Sequence, residues 1–251
     1  MLKQERNAVL DAIVDSQYTM STLTPTRKVS RRHELREDKV ITFSTRVLDY
    51  IEFNRTTSYS IFAGIVLVVA LGLYWSYNQA SANSQATAEM STAVSRYESG
   101  QWSAALDGDI SFTGLIEISE EYGGTNAGNL ATFYAADAFF RLANFSRALT
   151  FFEDVTKDAN YVGASALAGE AAVHEINGDF EKAGDLFLRS ANLYTSSIVG
   201  PVYLLNAGRA YEKGGQSDKA RRAYEQVRAD YPTSIQARDI DFFIGRASVG
   251  N

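Results

Sequence analysis

The sequence predicts an all-α protein in which a single transmembrane helix is followed by an α-solenoid of about four helix pairs and a capping helix. Three observations lead to this prediction. One long apolar segment carries no charge, a pairing of alanine with an aromatic residue recurs after 35 and then 37 residues, and the 251 residues include only three prolines. Because proline interrupts helices, its scarcity leaves room for long ones.

The composition excludes several classes of protein. With 45% hydrophobic and 22% charged residues, the chain has the make-up of a folded protein. It contains no cysteine, which excludes a disulfide scaffold, an Fe–S protein, a thiol enzyme and a lipoprotein anchored through cysteine. The net charge of −6 argues against a nucleic-acid-binding protein, since such proteins usually present a basic face.

The apolar segment has the length and composition of a membrane span. Residues 56–88 carry no charged side chain, and 59–77 (YSIFAGIVLVVALGLYWSY) is dominated by aliphatic residues. Nineteen helical residues extend about 28 Å, close to the roughly 30 Å hydrocarbon core of a bilayer. Tyr59 and Tyr77 lie at its two ends, as in the aromatic belts of membrane proteins. The alternative is a buried core helix, but such helices are rarely apolar on every face over this length.

The distribution of charge predicts how the span is oriented. Residues 1–58 contain ten Lys and Arg, whereas the twenty residues after the span contain only Arg96. The positive-inside rule therefore places the N-terminus in the cytoplasm and residues 78–251 on the far side of the membrane. Net charges of +2 for the tail and −8 for the exported part follow the same division.

The cytoplasmic tail has two predicted parts. Residues 16–30 are rich in Ser and Thr, which is typical of a disordered segment. Residues 34–54 place apolar side chains at helical spacing, which predicts an amphipathic helix. That helix could lie on the inner leaflet, contact a partner, or be a plain lead-in to the span.

The exported part contains an internal repeat of helix pairs. Three stretches align, and in each an alanine is followed four residues later by Phe or Tyr: NFSRALTFF (144–152), DFEKAGDLF (179–187) and QSDKARRAY (216–224). A fourth copy begins with YESGQWSAAL (97–106) and is predicted to continue as a longer second helix up to EYGGT (121–125). A terminal helix over 233–247 is predicted to cover the last open face with Ile240, Phe243 and Ile244.

The last repeat resembles the tetratricopeptide repeat. It spans 34 residues from Pro201 to Ser234, and its matches to the family's W, L-G, Y, A, F and P positions are Leu204, Ala207-Gly208, Tyr211, Ala220, Tyr224 and Pro232. The earlier copies keep fewer of these positions: Ala136, Phe139, Ala148 and Phe152 in one, and Ala171, Ala183 and Phe187 in the next. His174 occupies an aromatic position of the repeat, which favours a core histidine over a metal ligand.

The sequence offers no catalytic motif. It contains no HExxH, GxSxG, Walker-A or GxGxxG pattern, and its only two histidines lie far apart. Carboxylate pairs such as Glu120–Glu121 fall on amphipathic helices, where a solvated face explains them. We therefore expect a protein without enzymatic activity, cofactor, metal or small-molecule substrate.

The resemblance to tetratricopeptide repeats implies a concave groove lined by the first helix of each pair. Its groove-facing positions are the second, fifth, ninth and twelfth, which correspond here to Leu130, Phe133, Asp137 and Phe140; to Ser165, Ala168, Ala172 and Glu175; and to Val202, Leu205, Arg209 and Glu212. From these we select as binding residues Phe133, Asp137, Phe140, Ala172, Glu175, Leu205, Arg209 and Glu212. The expected ligand is extended polypeptide. The alternative is that several of the apolar residues simply pack within the superhelix.

The layout of tail, span and repeat domain is similar to that of the ancillary SecYEG translocon subunit (YfgM-like) family. That resemblance implies a single-pass protein of the bacterial inner membrane whose periplasmic repeats assist exported polypeptides beside the translocon, alongside periplasmic chaperones. The longer cytoplasmic tail departs from the enterobacterial pattern. A second hypothesis is a structural accessory subunit of another inner-membrane complex, with the repeats as a docking scaffold.

Overall fold

The computed structural model describes residues 55–249, so the predictions for 16–30 and 34–54 lie outside the described residues. The described part of the chain divides into two units between Ala70 and Leu71. The described helices are α1 Arg55–Glu98, α2 Trp102–Asp107, α3 Leu115–Tyr122, α4 Asn126–Arg141, α5 Phe145–Asp154, α6 Tyr161–Ile176, α7 Phe180–Leu193, α8 Gly200–Lys213, α9 Ser217–Asp230 and α10 Ile240–Val249. Strands β1 Gly108–Asp109 and β2 Phe112–Thr113 form an antiparallel hairpin, and a 3₁₀ helix covers Ile235–Ala237.

Helix α1 contains the candidate membrane span and continues beyond it. It runs for 44 residues, and its apolar part is long and hydrophobic enough to cross a membrane, with none of that part buried. Neither glycine nor proline occurs between Gly72 and Gly100, so nothing in the sequence ends the helix at Tyr77. Further along, Ala86 and Ala93 are fully buried in the core of the repeat domain. The same helix therefore also serves as the first helix of the first pair.

The predicted longer second helix of that pair is wrong. Helix α2 ends at Asp107, and the next residue, Gly108, has a φ of 67°, a left-handed conformation that favours glycine. The hairpin follows, with the carboxylate of Asp109 accepting hydrogen bonds from the backbone N–H (2.6 Å) and hydroxyl (2.5 Å) of Ser111. A Cβ on Gly114 would collide with the Leu106 carbonyl group. Gly108 and Gly114, at the two ends of the hairpin, allow the chain to leave α2, form the hairpin and return to start α3.

Helices α4 to α9 form three regular pairs, α4–α5, α6–α7 and α8–α9, and each helix packs against the next. We call the first helix of each pair, α1, α4, α6 and α8, the A helix, and its partner the B helix. The repeated alanines Ala148, Ala183 and Ala220 are all fully buried, and the aromatic residues four positions later are buried beside them. The predicted repeat core is confirmed.

Three glycines let neighbouring helices approach closely. A Cβ on Gly184 would lie 2.5 Å from the ring of Tyr211 on α8. In the same way, Gly169 faces the ring of Phe152, and Gly208 faces the ring of Tyr224. Each ring therefore fills the space that a side chain would otherwise need, which fixes the spacing of the helices.

A buried ion pair closes the junction between α5 and α6. Lys157 donates to the carbonyl oxygens of Phe152 (2.5 Å) and Val155 (2.8 Å), which end α5. Its Nζ also lies 2.8 Å from Glu170, a carboxylate that is almost fully buried. The positive charge of this turn is thus directed into the domain rather than towards solvent.

Helix α10 caps the solenoid, as predicted, although it begins at Ile240 after the short 3₁₀ helix. Ile240 is buried, and Phe243 and Ile244 pack against the same core. The Phe243 ring centroid lies 5.4 Å from that of Tyr224. The last helix pair therefore presents no open apolar face on this side.

We predict that Gly208→Ala destabilises the domain, whereas Gly245→Ala does not. The added methyl at position 208 would overlap the ring of Tyr224, and overpacking a core costs about 1–3 kcal/mol. Gly245 lies in α10 with open space around it, so the change there should only gain helix propensity, up to about 1 kcal/mol. Urea unfolding of the full chain in mild detergent, followed by far-UV circular dichroism, measures both. Equal effects at the two positions would contradict the packing described here.

Candidate functional site: a charged cleft between α6, α8 and α10

A cleft of about 500 Å³ opens between two A helices and the capping helix. Three of the predicted binding residues line it: Glu175 from the last turn of α6, and Arg209 and Glu212 from α8. Arg209 and Glu212 are three residues apart, so they lie on one face of α8. The lining also contains residues that the sequence analysis missed: Asn206, Lys213, Phe243 and Arg246.

Both carboxylates of the cleft are already engaged. Lys213 Nζ lies 2.6 Å from Glu175 Oε1. Glu212 accepts a hydrogen bond from Arg246 Nε at 2.9 Å and another from the Tyr224 hydroxyl at 2.8 Å. Although burial opposes ionisation, these two bonds lower the pKa of Glu212, so it is an anion at neutral pH.

The third cation of the cleft, Arg209, remains exposed. Its guanidinium carbon lies 5.3 Å from the centroid of the Phe243 ring, and that of Arg246 lies 5.0 Å from the same centroid. Phe243 therefore contacts two arginines, while each cleft carboxylate is paired with a different cation. The exposed guanidinium of Arg209 is available to a ligand, and its fork of donors matches a carboxylate.

The structure does not bring the predicted residues of α4 into this cleft. Phe133 packs with its ring centroid 6.2 Å from that of Phe152, and Phe140 packs 5.5 Å from Phe145. Both are only partly exposed. For these two residues, the alternative that they pack within the superhelix is supported.

The other predicted positions are surface residues with varied surroundings. Asp137 accepts hydrogen bonds from Tyr97 on α1 and, at 2.5 Å, from Arg141. Ser165 shares a hydrogen bond of 3.0 Å with Tyr203. The remaining members of the set are partly exposed and do not line the cleft: Leu130, Ala168, Ala172, Val202 and Leu205.

A tyrosine, a carboxylate and a cation are joined in the same way at three places. The groups are Tyr97–Asp137–Arg141, Tyr211–Asp185–Lys219 and Tyr224–Glu212–Arg246. Burial and the hydrogen bond to Asp137 raise the pKa of Tyr97 to about 12. Burial and the neighbouring carboxylate also raise the pKa of Tyr211 and of Tyr224. These phenols are therefore neutral donors that hold surface carboxylates in place.

His174 is buried, as predicted for a core residue. Its Nδ1 lies 3.2 Å from the carboxylate of Asp179. Within residues 55–249, no group of three or more His, Asp or Glu side chains is arranged to hold a metal ion.

Comparisons with known proteins agree with the repeat architecture. Residues 203–234 match a tetratricopeptide repeat family model. Two crystal structures of the nearly identical TPR-like repeats of a Podosopora anserina protein assigned as a kinesin light chain, one of them a single-substitution variant, superpose with TM-scores of 0.52 and 0.51. Both are 16% identical, and the matches cover 67% of this chain and 87% and 88% of those chains. No curated protein sequence matches this chain significantly. At this identity the likeness shows the fold, a TPR-like helical solenoid.

We predict that the domain loses stability at alkaline pH because of its buried tyrosines. A phenol whose pKa is raised on folding contributes stability that is present below about pH 10 and is lost as the pH rises through its folded value. The free energy of unfolding should therefore fall between about pH 10 and 12. In Tyr97→Phe, stability at neutral pH should drop by about 1 kcal/mol through the lost hydrogen bond, but its fall with pH should be shallower. Urea titrations at a series of pH values check this, and an unchanged slope in the variant would contradict it.

Proposed function

We propose that the protein is a non-enzymatic, membrane-anchored adaptor that binds other proteins through the groove formed by its A helices. The observation that carries this proposal is the cleft itself. It combines an exposed guanidinium on Arg209 with two carboxylates that already have partners. Such a site suits an acidic side chain or the C-terminal carboxylate of a partner protein. Nucleic acid is disfavoured as a ligand, because the repeat domain carries a net negative charge.

The anchor is residues 59–77 of α1, with membrane lipid around it. This stretch is apolar and exposed on all sides, which is costly in water and favourable in hydrocarbon. The excess of Lys and Arg before it supports a cytoplasmic N-terminus and a periplasmic repeat domain in a bacterial inner membrane. The division is then a tail over 1–58, a span over 59–77 and a repeat domain over 78–251.

The similarity in layout to the ancillary SecYEG translocon subunit family supports the Sec translocon as the site of action. Exported polypeptides, or periplasmic chaperones that accompany them, would be the partners of the groove. The second candidate is a structural subunit of another inner-membrane complex. It is favoured by the partly exposed aromatic residues of α4, because permanent interfaces are more apolar than transient ones.

Isolation of the full chain from native membranes in mild detergent, with crosslinking and mass spectrometry, distinguishes the two candidates. Recovery of SecYEG together with chains in transit supports the translocon adaptor. Recovery of one fixed set of subunits without SecYEG supports the scaffold and excludes the adaptor.

We predict that Arg209→Ala lowers the yield of co-purified groove partners several-fold. The change removes the exposed cation of the cleft but leaves both of its ion pairs intact. Arginines at the centre of interfaces are often worth more than 1 kcal/mol of binding free energy. The matched control is Arg189→Ala, since Arg189 is exposed on the B helix α7. Equal yields from both variants, with unchanged circular dichroism, would contradict binding through the cleft.

A further inference from the structure

The first of the turns that lead from a B helix to the next A helix lies beside the end of the candidate span. Gln79 follows Tyr77 by two residues, about 3 Å along the helix axis. Its side chain donates to the carbonyl oxygen of Gly124, in the turn between α3 and α4. Asn83, one turn further, accepts from the backbone N–H of Ala127 at 2.9 Å. This turn therefore lies within about 10 Å of the end of the apolar stretch, at the depth of lipid headgroups.

The same kind of turn recurs at residues 155–160, 194–199 and 231–239. Because short connections join antiparallel helices, these turns fall along one edge of the solenoid. Neighbouring turns are tied together along that edge. Asn129 Oδ1 accepts from the backbone N–H of Thr156 at 2.7 Å, and a Cβ on Gly200 would lie 2.5 Å from the Tyr231 hydroxyl. We call this the B-to-A edge.

The B-to-A edge exposes large apolar side chains. Ile198 is 78% exposed, Ile235 is 72% exposed and Tyr161 is 55% exposed. Such exposure has a cost in water, and tyrosine and aliphatic residues at the tips of turns are suited to a membrane interface. The edge carries few charges: 123–125 and 194–199 contain none, Lys157 is turned inward, and the exposed charged residues of the other two turns are Asp158, Arg238 and Asp239.

We propose that the B-to-A edge rests on the lipid headgroups of the bilayer, with Tyr161 and Ile198 in contact with the interface. The proposal depends on the membrane anchor of the proposed function. It assigns one edge of the repeat domain to lipid and leaves the charged cleft for proteins. The occupant of this apolar edge is thus the bilayer in which α1 is embedded.

The absence of native cysteine allows a direct test with single-cysteine variants of the full chain. Tyr161→Cys and Ile198→Cys, labelled with an environment-sensitive fluorophore, report on the edge. Ile176→Cys is the matched control, because Ile176 is 50% exposed at the opposite end of the helix that begins with Tyr161. Leu67→Cys reports on the span. Each protein is reconstituted in vesicles of phosphatidylcholine and phosphatidylglycerol, with and without a lipid that carries a spin label near its headgroup.

The expected result is several-fold stronger quenching by the spin-labelled lipid at positions 161 and 198 than at 176. If the label at 67 emits as it would in hydrocarbon but those at 161 and 198 are quenched no more than that at 176, the edge assignment is overturned and the anchor stands. If the label at 67 shows no contact with lipid, the anchor fails and the edge assignment fails with it. Circular dichroism of each labelled protein establishes that the exposed substitutions leave the fold intact.

Discussion

The close approach of glycine backbones to aromatic rings is the constraint on which the rest of this structure depends. Gly169, Gly184 and Gly208 each face a ring from an adjacent helix, at distances that exclude a Cβ. Helices with larger residues at these positions would have to separate, and every later helix would be displaced. The spacing of the A helices, and therefore the width of the groove between them, follows from these contacts.

The same rings also connect the core to the chemistry of the surface. The ring of Tyr224 fills the space at Gly208, while its hydroxyl donates to Glu212 in the cleft. Glu212 in turn pairs with Arg246 from the capping helix. Tyr224, which fills space in the core, thereby also fixes the positions of Glu212 and Arg246 in the cleft. Arg209 is then the charge that a partner can bind.

Most of the fold could be predicted from the sequence because its signals are local and periodic. The spacing of Ala148, Ala183 and Ala220 identifies the repeat, and the apolar residues of the capping helix recur at helical intervals. The break after α2 was missed because the effect of Gly108 depends on a left-handed conformation that the apolar pattern does not reveal. Four of the seven residues that line the cleft were also missed. Lys213 and Arg246 reach it through ion pairs to residues 38 and 34 positions away, and no local pattern encodes such pairs.

A double-mutant cycle on Gly184 and Tyr211 tests the central constraint most directly. The free energy of unfolding is measured for the full chain in mild detergent, for Gly184→Ala, for Tyr211→Ala and for the double variant. If the ring fixes the helix spacing, Gly184→Ala costs about 1–3 kcal/mol beside Tyr211 and nothing once the ring is removed. If Gly184→Ala has the same cost in both backgrounds, the glycine and the ring act independently, and this explanation of the solenoid is wrong.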